Sequence, residues 1–206
     1  MANITGMASL YDDPTELTGE DAKYILELMG HIGERSKSLI SLINGIANFQ
    51  TSNKFYKDFD VAQAIEGYRK LFSYKLNEKN MGFNYEGPRS FVIQTDPRLY
   101  DLIVDNLLSN AAKYSGLETS VTASINSSNG HHTFVVKDNG IGISDEDKEL
   151  VFKENYRAKN NSGEKGTGFG LFGVEMAVTS LGGSIRLYDN NPSGAVFEVN
   201  LPNSNE

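Results

Sequence analysis

The chain has 206 residues, 39% of them hydrophobic, enough for one large domain or a medium domain with a small helical unit. Its formal charge of −8 and pI near 5.0 weigh against a nucleic-acid backbone binder, which usually carries a concentrated basic face. Cysteine is absent, which excludes disulfides and thiolate chemistry. No apolar run approaches the roughly 20 residues of a spanning helix, and no signal peptide or anchor is read, so a cytoplasmic fragment is expected.

In chain order, Ala2 to Tyr11 reads as a short apolar helix, and DDPTELTGED as a proline turn with capping residues. From Glu20 to about Gln50 there is no proline. Ile25, Leu28, Ile32, Leu39, Leu42, Ile46 and Phe49 recur at helical spacing and form a coiled-coil-like seam. Residues 1–52 are therefore expected to form an α-helical hairpin, with a second domain over 53–206.

In that second domain KFYKDFDV reads as a strand and Ala62 to Lys79 as a helix, followed by the alternating strands MGFNYE and SFVIQT. Asp96 and Pro97 open a helix through Tyr114. VTASINSS and HTFVVKD pair through a turn at Asn129 and Gly130, which leaves His131 and His132 as exposed strand-end residues. A helix near Asp145 to Lys153, a polar loop, a helix from about Phe169, and the strands SIRLYDN and GAVFEVNL complete the chain. This mixture of elements predicts an α+β fold, a two-layer α/β sandwich.

Three segments carry chemistry: NLLSNAAKYS (Asn106 to Ser115), DNGIGI (Asp138 to Ile143) and GTGFGLFG (Gly166 to Gly173). On a helix Asn106, Asn110 and Lys113 share one face, while Leu107, Leu108 and Ala111 point to the core. Amide oxygens suit Mg²⁺, and an ammonium meets phosphate as a point charge. In DNGIGI, Gly140 and Gly142 let a flat ligand lie against main chain, and Asp138 supplies one acceptor for an exocyclic amine. The glycines of the third segment expose N–H groups at a helix start, where anionic phosphate is favoured. Singly, each segment also reads as a turn, a helix entry or a solvated helix face; their joint order points to a nucleotide site.

These blocks resemble the N, G1 and G2 boxes of sensor histidine kinases, over about Phe55 to Pro202. The resemblance implies an ATPase fold shared with gyrase and heat-shock chaperones, with ATP and Mg²⁺ as ligands. By position it makes Asn110 the Mg²⁺ ligand and Asn106 its companion. Lys113 and Tyr114 become nucleotide contacts, Asp138 the adenine reader, and Arg157 a phosphate-side cation at the start of an ATP lid, Asn155 to Lys165. Asn106, Asn110 and Arg157 then serve catalysis. Gly140, Gly142, Gly166, Gly168 and Gly170 match the glycine positions, and Ile143, Tyr156, Thr167, Phe169 and Leu171 are further nucleotide-binding positions. Phe152 matches the family's aromatic F box. Ala195 stands where a small hydroxyl residue is common, and Phe169 where leucine is common.

The helical hairpin resembles the family's dimerisation and phosphoacceptor stem, with Ala2 to Gly6 matching the residues that follow the acceptor motif H-[DE]-x-R-x-P-L. The acceptor histidine is therefore expected upstream of Met1, and His31 reads as an ordinary helix-surface histidine. The resemblance implies a response-regulator receiver domain as partner and a homodimer through the stem. A degenerate kinase-like scaffold and a gyrase-type hydrolytic ATPase are the alternative readings.

Overall fold

The computed structural model describes residues 55–158 and 168–203. The expected hairpin of residues 1–52, its boundary at residue 53, His31, Gly166 and Thr167 lie outside the described residues. The elements are β1 (Lys57–Asp60), α1 (Val61–Glu78), β2 (Gly82–Glu86), β3 (Val92–Thr95), α2 (Pro97–Tyr114), β4 (Ser120–Ser128), β5 (His131–Asp138), α3 (Asp145–Lys148), α4 (Gly170–Ser180), β6 (Ser184–Asp189) and β7 (Ala195–Pro202). Helix α3 is shorter than the sequence pattern predicts; turns continue the chain to Asn155.

Helix α2 is the centre of the core, and its start is set by local chemistry. Asp96 is fully buried with extended backbone, and its Oδ1 accepts from the Arg98 N–H at 3.1 Å, while Pro97 occupies the first turn without an N–H to satisfy. Asp96 Oδ2 accepts from the Phe55 N–H at 3.1 Å and from Arg98 Nη2 at 2.6 Å. Burial alone would push this carboxyl up; the Arg98 guanidinium and the backbone N–H groups outweigh it and hold it below the usual range. The helix then buries Leu99, Tyr100, Ile103, Leu107, Leu108 and Ala111 at helical spacing.

Against this layer lies a five-stranded sheet in the order β2-β4-β5-β7-β6, with β2 parallel to β4 and the other pairs antiparallel. A separate two-stranded sheet joins β1 to β3. Helices α1, α2 and α4 cover the large sheet, giving the expected two-layer α/β sandwich. The β4–β5 hairpin turns on Asn129 and Gly130, both at positive φ (52° and 76°), the geometry of a two-residue type I′ loop.

Strand β5 alternates as a half-buried strand must, so His132, Phe134, Val136 and Asp138 share the face toward the helices. This corrects the reading of both histidines as exposed. His131 is exposed, but His132 is 1% exposed because it occupies an inward position. Asn203 Nδ2 donates to Ser127 Oγ at 3.1 Å, which turns Asn203 Oδ1 toward His132 Nδ1 at 3.0 Å. Nδ1 therefore carries the proton, and Nε2 accepts from the Tyr100 hydroxyl at 2.9 Å. The neutral imidazole is fully satisfied.

Burial lowers the His132 pKa from 6.5 to about 4. The unfolded chain thus binds the extra proton between these values, and stability present above pH 6.5 is lost as pH falls toward 4. We expect a loss on the order of 3 kcal/mol over that window. Urea unfolding of the parent and of His132→Gln at pH 7 and 5 checks this: the variant should be less stable at pH 7 yet show a shallower pH dependence. Identical pH slopes would refute it.

Candidate functional site

Asp138 occupies the last inward position of β5, so the pleat delivers its carboxylate to the end of the space between sheet and helices. It is 5% exposed. Its Oδ1 accepts from the Gly140 N–H at 2.9 Å and the Ala195 N–H at 3.2 Å, while no described residue donates to Oδ2. Burial pushes the carboxyl up, and the two backbone N–H groups counter part of that shift. The result is a fixed carboxylate with one oxygen committed to the fold and the other available to a donor.

The chain after Asp138 runs against the last turn of α2. Gly140 pairs with Ser115 in an isolated antiparallel bridge, and the Ile141 N–H donates to the Tyr114 carbonyl at 3.3 Å. A Cβ on Gly140 would run into the Tyr114 carbonyl and lie 2.9 Å from Asp138 Oδ1. Glycine is required here by close approach. Gly194, at φ 114°, has the same role on the other side, where a Cβ would collide with the Asp138 carbonyl. Gly142 packs against the Gly194 backbone, and Ile143 against the core.

Along α2, Asn106, Asn110, Lys113 and Tyr114 are all half-buried, and the Lys113 ammonium lies 5.4 Å from the centroid of the Tyr114 ring. Asn106 Nδ2 donates to the Leu102 carbonyl at 2.8 Å, which turns its Oδ1 toward the start of α4. A Cβ on Gly170 would sit 2.7 Å from that oxygen. Helix α4 opens at Phe169, whose side chain makes no cap hydrogen bond, and no described side chain serves its first N–H groups at the positive end of its dipole. Leu171 packs against the core.

Gly168 packs on the backbone of Asn155 and Tyr156, with a Cβ placed 2.8 Å from the Asn155 carbonyl carbon. The two feet of the polar loop therefore meet. Tyr156 donates its hydroxyl to the buried Asp147 at 2.5 Å, and Arg157, the next residue, is exposed. Phe152 packs against the hydrophobic core. The structure thus brings Asp138, Gly140 and Gly142 to the C-terminal end of α2, and Asn106, Phe169 and Gly170 together two turns earlier.

Sequence reasoning missed the residues that hold this arrangement. Lys79 Nζ donates to the carbonyls of Ala112, Lys113 and Ser115 at 3.1, 2.8 and 3.1 Å, a cation closing the C-terminal end of α2. Asn190 Nδ2 donates to the Asp138 carbonyl at 2.8 Å, and Asp147 receives Tyr156. Lys79 and Asn190 lie 33 or more residues from the groups they hold, and Asp147 lies nine residues before Tyr156.

The histidine kinase-, DNA gyrase B- and HSP90-like ATPase family matches residues 95–205. The sensor protein CiaH of Streptococcus pneumoniae is 36% identical over 129 residues, covering 61% of this chain and 29% of CiaH. The sensor-like histidine kinase SenX3 of Mycolicibacterium smegmatis is 27% identical over 196 residues, covering 93% of this chain and 50% of SenX3. This chain spans no more than half the length of these relatives. The nucleotide-free catalytic domain of histidine kinase ThkA shares the fold, with a TM-score of 0.65 at 23% identity, covering 73% of this chain and 97% of that domain. With its strand-end carboxylate, glycine turns and asparagine-bearing helix matched in this way, the chain belongs to the histidine kinase-, DNA gyrase B- and HSP90-like ATPases, as a sensor histidine kinase ATP-binding domain.

Proposed function

We propose that this chain holds Mg²⁺·ATP and presents the γ-phosphate to a histidine on a stem helix, from which it passes to a response-regulator receiver domain. The observation that carries this reading is the distribution of groups along α2. At its C-terminal end stand Asp138 Oδ2 and the half-buried Tyr114; eight residues earlier, about 12 Å along the helix, Asn106 Oδ1 faces the uncapped start of α4. A carboxylate acceptor at one end and helix N–H groups at the other match a base with an exocyclic amine joined to a polyphosphate.

The donor set fits Mg²⁺, which takes a few oxygen ligands and keeps waters; Asn110 and Asn106 would hold it by their amide oxygens. Bound there, the ion would supply charge neutralisation for phosphoryl transfer. Asp138 orients the base, Lys113 meets phosphate as a point charge, and Arg157 stands on the phosphate side. Catalysis by these residues is positioning and charge stabilisation, since phosphoryl transfer asks little covalent work of the protein. Binding of a receiver domain is supported by a longer ThkA structure solved with the response regulator TrrA, which is 16% identical over an alignment covering 97% of this chain. Among the described residues no helix is long and apolar enough to cross a membrane. We place the unit on the cytoplasmic side of a sensor and assign its dimerisation to the stem.

Three outcomes are expected. In calorimetry, Asp138→Asn should weaken ADP binding by about 10- to 100-fold while the fold is kept, because an amide would offer a donor to the base amine or lose its backbone partners; an affinity within twofold of the parent contradicts the assignment. Asn110→Ala should remove the gain in ATP affinity that Mg²⁺ confers and leave metal-free binding near the parent value. With radiolabelled ATP, a separately supplied stem bearing the H-[DE]-x-R-x-P motif should become labelled at its histidine, and His31 should not; label on His31 would overturn the acceptor assignment.

A further inference from the structure

Helix α3 is only four residues long, yet it carries a carboxylate, Asp147, that is 2% exposed. Burial of such a group costs free energy unless hydrogen bonds serve it. The Tyr156 hydroxyl donates to Asp147 Oδ1 at 2.5 Å, the length of a charge-assisted bond. That bond also raises the Tyr156 phenol above its usual pKa, so the proton stays on the tyrosine through the neutral range.

The platform under Asp147 is fixed from two sides. Ser144 Oγ accepts from the Asp147 N–H at 3.2 Å and caps the turn, while Lys148 Nζ reaches Asp189, at the end of β6, at 2.6 Å. Asp147 is thus set relative to the sheet, and Tyr156 is set relative to Asp147.

Tyr156 in turn supports the approach to α4. Gly168 lies so near that a Cβ there would stand 2.8 Å from the Asn155 carbonyl carbon and 3.0 Å from the Tyr156 carbonyl oxygen. Asn155 has a φ of 59°, a left-handed backbone that a non-glycine residue keeps only where its surroundings hold it. The holding contacts are the Tyr156 N–H on the Lys153 carbonyl at 3.2 Å and the Tyr156 hydroxyl on Asp147. Two residues beyond Gly168, α4 begins at Gly170. A run of contacts therefore leads from the sheet through Asp147, Tyr156 and Gly168 to the helix start, and Arg157 follows Tyr156 directly.

We propose that Asp147 is a positioning residue for the phosphate end of the nucleotide site: by holding the Tyr156 hydroxyl it fixes the backbone on which Gly168 is seated, and with it the first N–H groups of α4 and the placement of Arg157. This rests on the nucleotide-binding reading above. Buried as it is, Asp147 acts through Tyr156 and not on the nucleotide. The base end is held separately, since Asp138 takes its backbone N–H groups from Gly140 and Ala195, which stand outside this run. Loss of the Asp147–Tyr156 bond is therefore felt by the phosphates and not by the base.

The test compares ADP with adenosine, which keeps the base and lacks the phosphates, by calorimetry and NMR titration of the full chain. Asp147→Ala and Tyr156→Phe should each weaken ADP binding about tenfold and leave adenosine binding within about twofold of the parent, and the double variant should lose no more than either single one. Asp147→Asn, whose amide oxygen still accepts from the phenol, should restore ADP binding to within about threefold of the parent. Tyr156→Phe removes one oxygen from a half-buried ring and serves alone if Asp147→Ala does not fold. Unchanged ADP affinity in the folded variants, equal losses for ADP and adenosine, additive losses in the double variant, or no rescue by asparagine would overturn the proposal. A parent that binds no ADP fails the nucleotide assignment and this inference with it, whereas parent-like ADP binding in the variants fails this inference alone.

Discussion

The architecture depends on one seam, where the last turn of α2 meets the chain leaving β5. The Ser115–Gly140 bridge and the Ile141-to-Tyr114 hydrogen bond fix two elements from different layers at a separation that only glycine at 140 permits. Asp138 is locked at this seam by the Gly140 and Ala195 N–H groups, so the turn after β5 and the distant start of β7 converge on one carboxylate. A methyl group at 140 would push α2 away from the chain leaving β5, and one at 194 would collide with the Asp138 carbonyl on the neighbouring strand.

Helix α2 therefore has two roles that its two faces keep apart. One face is core: Leu99, Ile103, Leu107 and Leu108 are each no more than 2% exposed, and the burial of such side chains contributes about 1.5–3 kcal/mol apiece. The other face carries half-buried Asn106, Asn110, Lys113 and Tyr114. Anchored at its start by Asp96 and Arg98 and at its end by Lys79, the helix is a rail that sets the distance between the Asp138 end and the start of α4. Rigid placement of this kind is what a positioning mechanism of phosphoryl transfer requires.

Most elements of the second domain were legible in the sequence because their signals are local. Asp96-Pro97 marked the start of α2, Asn129-Gly130 the hairpin turn, and period-two alternation the strands. The strand-end carboxylate and the asparagine face could be read for the same reason. What could not be read were partnerships across the chain. Nothing near Lys79 announces that it closes a helix 33 residues away, and His132 looked like a turn neighbour until the register of β5 put it inward against Tyr100 and Asn203. The run after Asp145 kept a helical pattern to Lys153, yet the helix ends at Lys148 and Leu150 and Val151 donate into turns instead.

The central claim is that one nucleotide spans from Asp138 to the start of α4 along α2. Backbone NMR during titration with Mg²⁺·ADP tests it most directly. The account predicts shifts concentrated at Tyr114, Ser115, Gly140 and Gly142 and again at Phe169 to Leu171, with the His132 end of β5 unmoved. Shifts confined to one of these two ends, or centred on the His132 side of the sheet, would contradict it.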